Sequence, residues 1–100
     1  MENYYLNTIR IINKANKYTF GDGLIDKIRS GRVYLVVISH DMGESSKKKV
    51  KDKCNSYNVK YIELLDKIAL NSLFNKSISC FGITDENLAK KLLENIEKAK

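Results

Sequence analysis

The sequence predicts an α/β fold, a three-layer α/β/α sandwich with a small mixed sheet. Amphipathic helical segments alternate along the chain with short apolar segments, and such alternation is typical of helices packed on both faces of a sheet. The run 33–38 is apolar without alternation, as expected of a central strand covered on both faces. One hundred residues suit one modest core, so we assign residues 1–100 to a single domain.

The first half of the chain predicts two helices and two strands. Apolar residues at helical spacing define the first helix: Leu6, Ile9, Ile12 and Ala15. A very short strand over 18–20 follows, and a turn at 21–23 then opens the second helix. Asp22 is a candidate N-cap for that helix and Gly31 suits its C-terminal stop. Its predicted buried face consists of Leu24, Ile25 and Ile28.

The second half predicts three helices and two more strands. A helix over 44–57 buries Val50, Cys54 and Tyr57, and the strand 59–62 follows it. A helix over 66–74 precedes the strand 78–83. Thr84 or Asp85 then caps the last helix. The apolar stripe of that helix consists of Leu88, Leu92, Leu93 and Ile96.

The net charge of +6 favours an anionic partner. Five lysines lie between 47 and 53, but successive helical residues point about 100° apart, so they cannot all face one ligand. A solvated helix face is the default interpretation, and phosphate attraction is the alternative. Cys54 and Cys80 lack metal or redox spacing and are predicted to be small core residues, which favours a reduced, cytoplasmic location. Neither a membrane-spanning segment nor a signal peptide is predicted.

Candidate catalytic groups are sparse. His40 and Asp41 follow the predicted central strand, but the chain has a single histidine, and we find no reactive partner for it. We predict no enzyme activity, no metal site, no cofactor and no small-molecule substrate. The turn Gly21-Asp22-Gly23 could offer backbone N–H groups to a phosphate, although a simple turn is the commoner role of such a segment.

The order of the segments carries a family resemblance. The stretch 31–61 combines a buried strand, a loop ending in Asp41, a lysine-rich helix and a short strand opening at Asn58-Val59. With 28–31 and the closing 82–85, this layout resembles the kink-turn RNA-binding superfamily named after the large-subunit ribosomal proteins seven-Ae and thirty-e. Within that family it is most similar to the small bacterial YlxQ-type members, over about 6–93.

The resemblance implies a non-catalytic RNA-binding protein that is associated with the ribosome or with translation. Its partner would be a structured RNA such as a ribosomal RNA. In the family fold three loops at one end of the sandwich meet the RNA, through N–H groups and lysines on phosphates and polar side chains on unpaired bases. The RNA-binding residues that follow are Gly21, Asp22, Gly23, Lys27, His40, Asp41, Lys76, Ser77 and Ile78.

Three positions depart from the family pattern. Counting back from Gly31, Phe20 stands where kink-turn binders have glycine, Gly23 where they have glutamate, and Asp26 where they have lysine. Sliding the alignment by one residue recovers Gly21 and Lys27 instead. The departures favour an alternative function, a protein-interaction module on the same fold that has lost kink-turn recognition.

Overall fold

A four-stranded mixed sheet forms the middle layer of the fold. The computed structural model describes residues 4–99, and the strands run in the order β1-β4-β2-β3. β2 is parallel to β3 and antiparallel to β4, and β4 is antiparallel to β1. The predicted central strand is therefore confirmed, and β1 and β3 form the edges. The strand bounds are β1 Tyr18–Thr19, β2 Leu35–Ile38, β3 Lys60–Glu63 and β4 Cys80–Ile83.

Helices cover both faces of this sheet. All four side chains of β2 are fully buried, because successive strand residues point to opposite faces and each face meets a helical layer. The layer of α1, α4 and α5 packs on Leu35 and Val37, and that of α2 and α3 packs on Val36 and Ile38. This confirms the α/β/α sandwich. The helices are α1 Tyr4–Lys14, α2 Asp22–Arg29, α3 Glu44–Ser56, α4 Lys67–Phe74 and α5 Glu86–Ala99.

Helix α2 packs closely on the sheet at Gly82, which has no side chain to hold the two apart. A Cβ built on Gly82 would come within 2.7 Å of Leu24 Cδ1 and 2.9 Å of Val33 Cγ1. Gly31 ends the helix at φ 73°, as predicted. The predicted N-cap is wrong: Gly21, at φ 71°, holds that position without a side-chain cap. Asp22 is already the first helical residue, so its carboxylate is past the position from which a side chain caps the turn.

The predicted buried face of α3 is also partly wrong. Tyr57 is 45% exposed, because it lies just past the last helical residue and no longer follows the helical stripe. Lys47, in contrast, is only 8% exposed, although lysine is usually an exposed residue. Val50 and Cys54 are buried as predicted.

The ends of the last two helices match the expected chemistry. Asp66 caps α4 by accepting a hydrogen bond from Ala69 N, and Asn75 ends it in the left-handed conformation. Of the two candidates for α5, Asp85 accepts from Leu88 N.

Cys54 and Cys80 are buried free thiols, and burial raises the pKa of each to about 11. Both therefore stay protonated near neutral pH and pack as core residues, as predicted. Within residues 4–99, no helix is long and apolar enough to cross a membrane.

Candidate nucleic-acid interface

Three segments meet at a cavity of about 210 Å³. Gly21 comes from the start of α2, Met42 from the loop after β2, and Ser77 and Ser79 from the loop before β4. The wall between them is apolar: Phe20, Leu24, Ile25, Val50, Ile78 and Cys80. This volume is below the roughly 300–1,000 Å³ of small-molecule pockets. We call this cavity the three-loop pocket.

An aromatic cluster borders the pocket on the side of β1. The rings of Tyr18 and Phe20 are stacked, with centroids 6.0 Å apart, because residues i and i+2 of an extended segment share a face. Tyr18 packs in turn on Phe74, and Phe74 on Phe81, each with a centroid distance of 4.7 Å. The exposed end of this cluster carries Lys76, whose Nζ donates to the Tyr18 hydroxyl at 2.7 Å.

A groove of about 460 Å³ between α2 and α3 continues from the pocket, and Gly21, Ile25 and Val50 line both. The α3 wall of the groove carries Lys49 and Lys53. The cationic and anionic side chains of the α2 wall are Arg29, Asp22 and Asp26. The start of α2, which has no side-chain cap, also lies here. Free N–H groups at a helix N-terminus favour the binding of anions.

The lysines of α3 fall into two groups. Lys47 and Lys51 both bind Glu63, and Lys48 binds Asp52. Within the described part of the chain, Lys49 and Lys53 have no carboxylate within 4.0 Å. The default interpretation of a solvated lysine face is therefore only partly right: Lys48 and Lys49 are exposed, but Lys47 is buried, and three of the five lysines pair with a carboxylate.

His40 lies beside this cluster of charges rather than in the pocket. Its Nδ1 is 3.8 Å from Glu63 Oε1, and its carbonyl oxygen accepts a hydrogen bond from Lys47 Nζ at 2.9 Å. Hydrogen bonds from Lys51 and Lys47 lower the pKa of Glu63 to about 2. The carboxylate therefore stays ionised and ties α3 to the end of β3.

Asp41 also has a structural partner. Its Oδ1 accepts a hydrogen bond from Lys67 N at 3.0 Å, at the start of α4. Desolvation would raise the pKa of Asp41, but the hydrogen bonds from Lys67 N and from its own N–H outweigh it and the pKa is lowered.

The predicted site residues are thus only partly brought together. Gly21, Ser77 and Ile78 line the three-loop pocket, although Ile78 is buried. Asp22 lines the groove, and Lys76 borders the pocket through its contact with Phe20. The others lie elsewhere: Gly23 and Lys27 are on α2 outside both cavities, and His40 and Asp41 hold neighbouring elements.

Sequence reasoning missed Phe20 and Met42 as pocket residues and Lys49 and Lys53 as the free lysines. The i, i+2 pair Tyr18 and Phe20 was a usable signal for the aromatic cluster. No local signal marks Met42, because its position depends on how the loop after β2 folds. Among residues 4–99, no group of three or more possible metal ligands occurs.

Comparison with known proteins shows which protein family the chain belongs to. Residues 5–93 match the model of the ribosomal protein L7Ae/L30e/S12e/Gadd45 family. The chain therefore belongs to that family, as the order of its segments predicted.

Individual relatives agree with this assignment. The chain is 37% identical to the RNA-binding protein YlxQ of Enterococcus faecium, covering 92% of this chain and 90% of that one. It is 33% identical to the RNA-binding protein YlxQ of Bacillus subtilis (strain 168), covering 87% and 89%. The predicted likeness to YlxQ-type proteins is thus confirmed.

The fold is also found in solved structures of other proteins. A protein of unknown function from Bacillus halodurans C superposes with a TM-score of 0.89 at 26% identity, over 96% of this chain and 99% of that one. The Giardia lamblia 15.5kD RNA binding protein superposes with a TM-score of 0.74 at 19% identity, over 93% and 82%. The second likeness concerns the fold alone.

Proposed function

We propose that this chain is a non-catalytic, cytoplasmic RNA-binding protein that acts in association with the ribosome or another part of the translation machinery. The observation that carries the proposal is the meeting of three loops at one apolar pocket beside an exposed lysine and an uncapped helix start. The names of the two curated relatives support the choice of RNA as the partner.

The chemistry of the surface suits RNA that is partly unpaired. Sequence-specific RNA recognition mostly targets splayed-out bases, which stack on aromatic rings and fill apolar recesses. Phosphates between such bases need cations or free N–H groups nearby. Lys76 and the start of α2 provide these at the pocket, and Lys49 and Lys53 extend the positive charge along the groove.

Salt dependence tests the proposal. We expect the logarithm of the affinity for a structured RNA to fall linearly with the logarithm of the salt concentration, because bound phosphates release counterions. In the double variant Lys49→Gln/Lys53→Gln this salt dependence should be shallower. The magnitude of the slope should fall by about one to two, because each lost phosphate contact removes roughly 0.7–0.9.

A matched control keeps the same loss of net charge. Lys48→Gln/Lys90→Gln removes two lysines that already pair with Asp52 and Glu86, so the slope should change less. Equal changes in both double variants would mean that only net charge matters and that the groove is not a phosphate site.

The alternative function is a protein-docking module on the same fold. The observation that favours it is the acidic wall of the groove, where Asp22 and Asp26 oppose phosphate binding. A flat salt response, or no RNA binding even at low salt, would support docking and contradict the RNA proposal.

A further inference from the structure

We infer that Phe20 stacks against an unpaired RNA base at the rim of the three-loop pocket, and that Lys76 holds the phosphate next to that base. This inference rests on the proposed RNA-binding function and names two residues that determine which part of an RNA the site accepts.

Phe20 has the setting of a stacking platform. Its ring lines the pocket and is also stacked on Tyr18 at an interplanar angle of 16°. Tyr18 leads through Phe74 to Phe81, and these last two residues are 2% and 0% exposed. The platform is therefore supported by the core, which holds a recognition surface in place better than a free loop does.

Lys76 is a positioned cation rather than a freely moving one. Its Nζ lies 2.7 Å from the Tyr18 hydroxyl and 5.4 Å from the centroid of the Phe20 ring. An ammonium group has three donors, so donors remain for a phosphate oxygen. No carboxylate of the described residues lies within 4.0 Å of it, and its charge is not neutralised.

An aromatic face, an apolar recess and a fixed cation together match a nucleotide whose base is unpaired. Stacking is tolerant of sequence, because every base has a π-face. Phe20 also stands where the family pattern has glycine, so the ring is a feature of this chain that the general pattern does not supply. We therefore expect a preference for RNA with a bulged base over fully paired RNA.

A fluorescent reporter tests the stacking contact directly. The chain contains no tryptophan, so Phe20→Trp introduces a single reporter at the platform. The control is Tyr57→Trp, since Tyr57 is 45% exposed and precedes β3, at the opposite edge of the sheet from β1. The probe is a hairpin RNA with a bulge, compared with the same hairpin carrying abasic sites in the bulge.

Stacking predicts quenching of the Phe20→Trp fluorescence by the bulged hairpin, little quenching by the abasic hairpin, and little quenching of Tyr57→Trp by either. Phe20→Leu keeps an apolar side chain but removes the ring, and should weaken binding roughly tenfold or more. Phe20→Tyr should bind like the unmodified protein. Lys76→Gln should lower the salt slope by about 0.7–0.9.

The outcomes separate this inference from the proposed function. Suppose that the unmodified protein binds RNA in a salt-dependent way. If Phe20→Leu then binds equally well, or if both tryptophan variants are quenched alike, the inference is overturned and the RNA proposal stands. Absence of binding to any RNA would overturn both. Circular dichroism of each variant shows whether a loss of binding is a loss of folding.

Discussion

At the scale of single residues, the charged groups at the end of β3 show how a surface carboxylate becomes structural. Glu63 receives Lys47 at 3.1 Å and Lys51 at 2.9 Å. Lys47 also donates to the carbonyl oxygen of His40, so one buried lysine ties α3 to the loop after β2 and to β3. A lysine is almost never buried without such partners. The sequence alone does not reveal the partners, because Glu63 is sixteen residues from Lys47.

The low pKa of Glu63 predicts a pH dependence of stability. The group has a folded-state pKa of about 2 and an ordinary value of 4.5, so it binds protons more readily in the unfolded chain. Its stabilising contribution is therefore present above about pH 4.5 and is lost as the pH falls toward 2. Urea unfolding of the protein and of Glu63→Gln across this range should show the difference in unfolding free energy shrinking as the pH falls.

Glu94→Gln, on the exposed face of α5, is the control for this measurement. A difference between the protein and Glu63→Gln that stays constant from pH 6 to pH 2 would contradict the assigned role. Because Glu63 is partly exposed, added salt should also reduce the difference.

At the scale of elements, helical periodicity predicted the helices and short apolar segments predicted the strands, but neither pattern gave the details of their ends. A stripe of apolar residues depends on the repeat of the helix, so the interior of α2 was predictable from Leu24 and Ile28. The end of a helix depends on one residue and its backbone conformation. Gly21 takes that position at φ 71°, where glycine is favoured, and Asp22 therefore begins the helix instead of capping it.

The close approach of α2 to β4 gives a prediction about Gly82. In Gly82→Ala the new methyl group would overlap Leu24 Cδ1 and the stiff, β-branched Val33. We expect a loss of unfolding free energy of about 1–3 kcal/mol, typical of an overpacked core. Chemical denaturation measures it.

Gly43→Ala provides a matched comparison, because a Cβ at Gly43 meets nothing within 4 Å and its φ is −54°. It should cost distinctly less than Gly82→Ala. Equal losses from the two substitutions would show that the close approach of α2 to the sheet is not what Gly82 provides.

At the scale of the whole molecule, topology explains which part of the candidate site was predictable. The start of α2 and the loop before β4 adjoin β4 and the edge strand β1, so Gly21 and Ser77 meet at one pocket, as the family resemblance implied. The loop after β2 reaches the same pocket through Met42. His40 turns instead toward Glu63, and that choice depends on side-chain contacts across the fold that no local pattern encodes.

The departures from the family pattern bear on the binding of a kink-turn. We expect the unmodified protein to bind a standard kink-turn weakly, because Asp26 puts a negative charge where the family pattern has a lysine. The variant Phe20→Gly/Gly23→Glu/Asp26→Lys should bind the kink-turn more tightly. A side chain fits at position 23, where a Cβ would meet only Thr19 Oγ1 at 3.7 Å. A tenfold change in affinity corresponds to about 1.4 kcal/mol, so the gain from one recovered charge-assisted contact is large enough to measure.

The same triple variant should lose affinity for a bulged hairpin, since it removes the Phe20 ring. Both proteins are titrated against a labelled kink-turn, a bulged hairpin and a straight duplex of equal length. We expect the triple variant to gain affinity for the kink-turn and to lose affinity for the bulged hairpin. Tight, selective kink-turn binding by the unmodified protein would show that Gly21 and Lys27, and not Phe20 and Asp26, occupy the family's RNA-contacting positions. In that case the helix face presented to the RNA is rotated by about 100° from the face that carries Asp26.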